Sequence, residues 1–195
     1  MPKGLLHWCD EFELSNDEIK TSLTFAHNCC TNIFDRVFQY KIVTQILPTN
    51  EYLYRYKVKD TNICDNCNVE TDTIVHRLYE CEHVVPVVDQ FMIFIRNDCE
   101  QIVNITVKEY LFGISGNEYG ALNQIILELK KYIFYSSKEE LLSDAFCEQF
   151  KLKLRPVIIK EKQIMLQNNK IEQFFSKWKN FSQIYDFMGP DLQIY

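Results

Sequence analysis

Glycine and proline are scarce, five of each in 195 residues. A β-sandwich or barrel reverses direction about every ten residues and draws on both at its turns, so the scarcity argues for helices. Long apolar runs are missing as well. No stretch approaches the roughly 20 apolar residues of a membrane span, and the start, MPKGLLHWCDEFELSND, lacks the basic flank and unbroken apolar run of a secretory signal. These absences predict an intracellular chain, cytoplasmic or nuclear, without membrane attachment. Excess positive charge is lacking too: the net charge is −6, and the whole molecule repels polyanions at long range. Counting Lys and Arg against Asp and Glu, residues 34–63 carry +2 and 130–179 carry +5, whereas 64–129 carry −8. Any phosphate contact belongs to the basic stretches, although solvated helix faces would give the same pattern.

What is present is apolar mass. Hydrophobic residues make up 47%, with 14 Phe and 11 Tyr, enough for one sizeable domain, or a domain with a helical extension. The expected fold class is mainly α. Four segments are anticipated: an N-terminal helical segment (1–33), a small zinc-stapled helical domain (34–97), a bundle-like helical extension (98–180) and a loose tail (181–195).

In FDRVFQYKIVTQILP, Phe34, Val37, Phe38, Ile42, Ile46 and Leu47 form a helical stripe halted before Pro48. TNEYLYRYKVKD reads as a short helix capped by Thr49 or Asn50, with a strand as the alternative. Thr71 or Asp72 can cap a helix that stacks Ile74 on Leu78 and carries His76. Pro86 suits the first turn of a helix burying Val87, Phe91, Phe94 and Ile95. TVKE at 106–109 has capping-box spacing for a short helix ended by Gly113. Residues 118–135 carry a broad apolar face of Leu122, Ile125, Ile126, Leu129, Tyr132 and Ile133. SKEE at 137–140 opens a further helix through Leu141, Leu142, Ala145, Phe146 and Phe150. Pro156 is expected to separate it from a last helix bearing Ile164, Ile171, Phe174, Phe175 and Trp178.

The densest chemistry lies in ICDNCNVETDTIVHRLYECEH, residues 63–83, which hold three of eight cysteines and two of four histidines. Cys64-x2-Cys67-x8-His76-x4-Cys81 supplies three thiolates and an imidazole, a set suited to tetrahedral zinc. Five residues turn a regular α-helix about 140° beyond a full turn, so His76 and Cys81 share no face unless the helix loosens before Cys81. Four protein ligands leave no position for a reactive water, and the site reads as structural rather than catalytic. A zinc deaminase would need His-x-Glu and Pro-Cys-x-x-Cys; here the histidine sits in His-Arg-Leu. His83 is a rival fourth ligand, though two ligands one residue apart crowd a small ion. The other five cysteines, Cys9, Cys29, Cys30, Cys99 and Cys147, lack framework spacing and read as buried thiols in a reducing compartment.

The order FQYKIVTQILPTNEYLYRYKVKDTNICDNCNVETDTIVHRLYECEHV resembles the zinc-binding segment that follows the polymerase domain in LINE-type non-LTR retrotransposon reverse transcriptases. The resemblance covers about residues 34–95, and VKEYLFGI followed by LNQIILELKKYIFYSSK is similar to the helical continuation in those proteins. It assigns the metal ligands to Cys64, Cys67, His76 and Cys81, and implies participation in binding RNA or DNA, with the parent reverse transcriptase polypeptide as a further partner. Family members often carry a Trp about ten residues beyond the last Cys, where this chain has Phe91. No Asp-Asp pair of a polymerase palm occurs, nor an endonuclease-like His and Asp set, so the chain is expected to be no enzyme. The resemblance implies a C-terminal fragment or separated remnant of such a polyprotein.

Lysines interleave with aromatics in KYIFYSSK and FFSKWKNF, which makes Lys130, Lys131, Lys177, Trp178 and Lys179 the candidate nucleic-acid contacts, with core packing of the rings as the competing reading. His27, Asn28, Cys29 and Cys30 hold thiol and base side by side, but adjacent helical residues point about 100° apart and a core thiol is the better reading. Glu139 and Glu140 complement a helix dipole rather than forming an acid/base pair.

Overall fold

A computed structural model describes residues 3–98, 104–141 and 145–181. The readings for Cys99, Leu142 and tail residues 182–195 lie outside the described residues. Among the described residues there is no strand, only an isolated antiparallel bridge between Ile63 and Thr71. No described helix is long and apolar enough to cross a membrane.

Helix α1 (Lys3–Phe12) buries Leu5 and Trp8, whose indole N–H donates to the Ile42 carbonyl at 3.1 Å. Helix α2 (Asn16–Cys29) starts at a capping box in which Ser15 and Glu18 bond reciprocally. The Ser15 backbone N–H, followed by Lys108 and the Ser15 hydroxyl, draws the Glu18 carboxyl down to about 2. Helix α3 (Ile33–Val43) follows, then α4 (Asn50–Arg55), capped by Thr49 through the Tyr52 N–H. Helix α5 (Val85–Asp98) buries the expected Val87, Phe91, Phe94 and Ile95, and also Val88. The Thr106/Glu109 box opens α6 (Val107–Phe112), which ends at Gly113 with φ 91°. A Cβ there would lie 2.6 Å from the Phe25 ring, so glycine is required for conformation and space alike. Helix α7 (Gly120–Tyr135) precedes the single turn α8 (Lys138–Leu141), which the Ser137/Glu140 box opens. Helices α9 (Phe146–Gln167) and α10 (Ile171–Trp178) complete the order.

The helix expected from SKEE through Phe150 is divided between α8, which carries Leu141, and α9, which carries Phe146 and Phe150. Two further expectations fail here for physical reasons. Pro156 lies inside α9 rather than ending a helix. Its missing N–H orphans the Leu152 carbonyl, but Leu152 is exposed, and water can serve that oxygen. The break comes at Asn168–Lys170 instead, where Asn169 takes φ 56°, a left-handed conformation asparagine tolerates. Ile164 therefore belongs to α9, and only Ile171, Phe174, Phe175 and Trp178 share α10. Phe181, counted with the tail by sequence, is buried against Trp178 at 6.1 Å between ring centroids.

The second concerns α3. Phe38, Ile42 and the following Leu47 are buried as expected, but Phe34, Val37 and Ile46 are exposed, and Asp35, Gln39 and Val43 face inward in their place. The cause is α7, which is buried nearly all round and brings two lysines to this contact. Lys131 lies between Asp35 at 2.5 Å and Glu128 at 2.9 Å, while Lys130 donates to Gln39 at 2.7 Å and to the Leu111 carbonyl at 3.0 Å. Polar groups with partners inside override an apolar stripe read from spacing. One core runs from Leu5 to Phe181 through all the anticipated helical segments.

Complete burial draws the Lys130 ammonium down to about 7, with Cys29 and Cys30 opposing. Below about pH 7 both folded and unfolded states hold the proton and the cost of burying charge is full; between about 7 and 10.5 the unfolded state binds the extra proton, so this lysine's destabilising effect fades as pH rises. Lys130→Met should therefore change the melting temperature more favourably at pH 7 than at pH 10. Paired thermal melts at the two pH values check this; an equal shift at both would show that the amine does not titrate in that window.

Candidate metal centre

The centre is built from a short hairpin and an unusual turn. Residues 62–72 double back: Cys64 N–H donates to Glu70 O at 2.9 Å, Asp72 N–H to Asn62 O at 2.8 Å, and Asn68 N–H to Cys64 O at 2.8 Å. Asn68 closes the loop at φ 58°. The Cys64–Cys67 pair thus sits on a turn whose backbone N–H groups face the sulfurs. Burial raises the Cys64 thiol against the opposing N–H groups of Cys67 and Asn66. At Cys67 burial opposes, but the Glu70 and Val69 N–H groups together with the Cys64 and Cys81 thiols lower the thiol.

After the hairpin the chain makes less than a turn of α-helix at Ile74–Val75 and widens into a π-turn over His76–Glu80. Cys81 N–H donates to His76 O at 2.9 Å, an i→i+5 bond that brings residues five apart roughly one above the other. This is the loosening that the five-residue spacing demands. The cap differs from the expected Thr71 or Asp72: Thr73 Oγ1 accepts the His76 N–H at 3.0 Å, which leaves the Asp72 carboxylate for other work.

One ligand atom from each of Cys64, Cys67, His76 and Cys81 lies within 4.8 Å of the others. Cys64 Sγ and Cys81 Sγ are 4.0 Å apart, and Cys67 Sγ is 3.4 Å from His76 Nε2. Tetrahedral zinc with bonds of about 2.3 Å to sulfur and 2.0–2.1 Å to nitrogen would set these separations near ~3.8 and ~3.6 Å. These two separations suit such an ion, and with all four ligand atoms within 4.8 Å of one another the set is compact enough to close around one. Cys64 and Cys81 are fully buried, His76 nearly so and Cys67 partly. Burial, with Cys64 and Cys67 adding repulsion, pushes the Cys81 thiol up to about 12, so three thiolates coexist only around a cation. The cluster can hold a metal ion.

Behind the ligands stands a polar clamp that the sequence reading did not single out. Asp72, fully buried, takes Arg77 Nε at 2.7 Å and Nη2 at 2.6 Å, and also accepts the Asn50 N–H at 2.7 Å. Asn50 Nδ2 donates to Ile63 O at 2.6 Å, and Lys59 bridges Asn50 Oδ1 and Asp65. The clamp ties α4 to both ends of the hairpin. Arg77 was visible only as part of His-Arg-Leu, and Asp72 only as a cap candidate.

His83 lies outside the cluster, its Nε2 3.4 Å from Glu82. The candidate nucleic-acid residues scatter. Lys130 and Trp178 are fully buried and reach no phosphate in this fold, a correction to the interleaved-groove reading. Lys131 is held by Asp35 and Glu128. Lys177 is taken up by Glu161 at 2.6 Å, the Cys29 carbonyl at 2.6 Å and Gln124. Of that set only Lys179 is exposed. Cys29 and Cys30 are buried with their sulfurs 3.4 Å apart, whereas Cys9 and Cys147 are only half-buried, less than the core-thiol reading requires. No protein-family model, curated protein or solved structure matches this chain.

Proposed function

We propose that the chain is a non-catalytic, zinc-stapled helical module in which the ion fixes the hairpin and π-turn onto a helical core. The observation that carries this reading is the convergence of three sulfurs and one imidazole nitrogen, all within 4.8 Å of one another, on a largely buried spot. A set of four protein ligands is closed and supplies folding energy rather than a reactive water. Thiolate ligands persist where thiols stay reduced, which supports a cytoplasmic or nuclear location. Elemental analysis should find one zinc per chain, with three further thiols becoming reactive on chelation. A purified, folded protein without metal, or with all described thiols equally reactive before chelation, would overturn it.

A second reading, the RNA or DNA binding implied by the resemblance to retrotransposon reverse transcriptases, has its own support in charge. Lys153 and Lys160 on α9, together with Lys170 and Lys179, are exposed in the basic C-terminal third. Because phosphate contacts release counterions, affinity for structured RNA or single-stranded DNA should fall steeply with salt. Lys160→Gln with Lys170→Gln should reduce the salt slope by about two, whereas Lys130→Met should leave it unchanged. Absence of binding even at low ionic strength removes this role and leaves the module a scaffold for protein contacts.

A further inference from the structure

A groove of about 590 Å³ lies between α1, α4 and the turn that carries His76, within the 300–1,000 Å³ of ordinary ligand sites. Its lining mixes two chemistries. Trp8, Phe12, Tyr52 and Leu47 provide apolar and aromatic surface, and Glu11, Glu51 and Glu80 provide carboxylates from three separate elements. Only Arg55 offsets them with a fixed charge, and it is taken up by Glu51 at 2.9 Å; His7 Nε2 lies 3.7 Å from Glu11. Among the described residues no cation pairs with Glu80. Burial raises the Glu11 carboxyl, His7 opposes, and Glu80 and Glu51 raise it further, so the three acids share one poorly neutralised space that an incoming cation relieves.

The arrangement does not suit a bare metal ion. Among the described residues only the Cys/His group brings ligand atoms together at coordinating distance, so the groove's carboxylates are spread along it. Spread negative charge interleaved with aromatic rings matches an extended organic cation, whose methylenes lie on the rings while its nitrogens meet the acids.

We propose that this groove binds an alkylammonium ligand, either a free polyamine or the lysine side chain of a partner peptide, held by Trp8 and Tyr52 together with Glu11, Glu51 and Glu80. None of the four metal ligands lines it, so its failure would leave the zinc reading untouched.

Titration calorimetry on the full metal-loaded chain at low salt tests it with four probes: spermidine, a blocked Gly-Lys-Gly peptide, the neutral 1,8-octanediol and magnesium chloride. Saturable one-to-one binding of spermidine, the peptide or both, without binding of the diol, is the expected result. Tighter spermidine assigns a free polyamine, and a tighter peptide assigns a protein side chain. Glu11→Gln, on the exposed side of α1, should weaken the bound amine about fivefold, and so should Glu51→Gln. Because Glu51 also occupies the first turn of α4, thermal melts establish that each variant is folded, and Glu11→Gln alone suffices if Glu51→Gln is not. Absence of saturable binding by either amine, magnesium matching spermidine, or unchanged affinity in the folded variants would overturn the proposal.

Discussion

Chelating the metal from the purified chain should abolish cooperative folding of residues 58–84 and lower the melting temperature of the whole protein by well over 10 °C. Structural zinc sites supply on the order of 10 kcal/mol of apparent binding energy, comparable to the entire stability of a domain. Nothing else described in the hairpin compensates: it has one β-bridge, a few backbone bonds and the Asp72 clamp. The effect should spread, because Cys64, Leu78, Cys81 and Val84 are fully buried members of the common core. Without the cation, three thiols in one buried space either carry protons and repack or repel one another. Cys67→Ser, at the least buried ligand, should reproduce the loss, and Cys147→Ser, a half-buried cysteine outside the cluster, should not. Circular dichroism melts with and without chelator decide the matter. A chelated protein that melts unchanged, or a Cys67→Ser variant as stable as Cys147→Ser, would show that the cluster holds no structural ion.

The Cys/His cluster was legible because spacing encodes its geometry: Cys-x2-Cys implies a tight turn, and His-x4-Cys implies a helix that departs from 3.6 residues per turn. The π-turn over His76–Glu80 is that departure. Capping boxes at Ser137/Glu140 and Thr106/Glu109 were equally readable, since their bonds are local. What spacing could not reveal was which polar residues find distant partners. Asp35 and Gln39 turn inward because Lys131 and Lys130 await them more than 90 positions away, and that left Phe34 and Val37 outside the buried face of α3. Lysine between aromatics in α7 and α10 suggested a nucleic-acid groove, yet Lys130 and Lys177 are interior hydrogen-bond donors and Trp178 is core. Sequence distinguishes these cases poorly because the aromatic spacing is the same in both. Pro156 misled for a related reason: whether a helix survives proline depends on whether the orphaned carbonyl can reach water, a tertiary property.

The same long-range logic makes Asp72→Ala the most damaging single change outside the ligands. Its carboxylate is fully buried and holds Arg77 through two short bonds while accepting the first N–H of α4. Removing one partner of a buried pair leaves the other charge uncompensated, at a cost of about 3–5 kcal/mol. The Arg77 side chain keeps 12% exposure, so some hydration softens the loss and the lower end, about 3 kcal/mol, is expected. For a chain of this size that corresponds to a drop of roughly 6–12 °C in melting temperature. Asp72→Asn retains an acceptor for the Asn50 N–H and should lose less. Because the clamp fixes the hairpin that presents Cys64 and Cys67, metal affinity should also fall by about 10–100-fold, as when other supporting groups behind metal ligands are removed. Arg77→Met tests whether the two act as a unit: the double variant should be less destabilised than the sum of the singles. Strictly additive effects, or an Asp72→Ala protein within about 2 °C of the parent, would mean the pair only decorates a hairpin that the ion already holds.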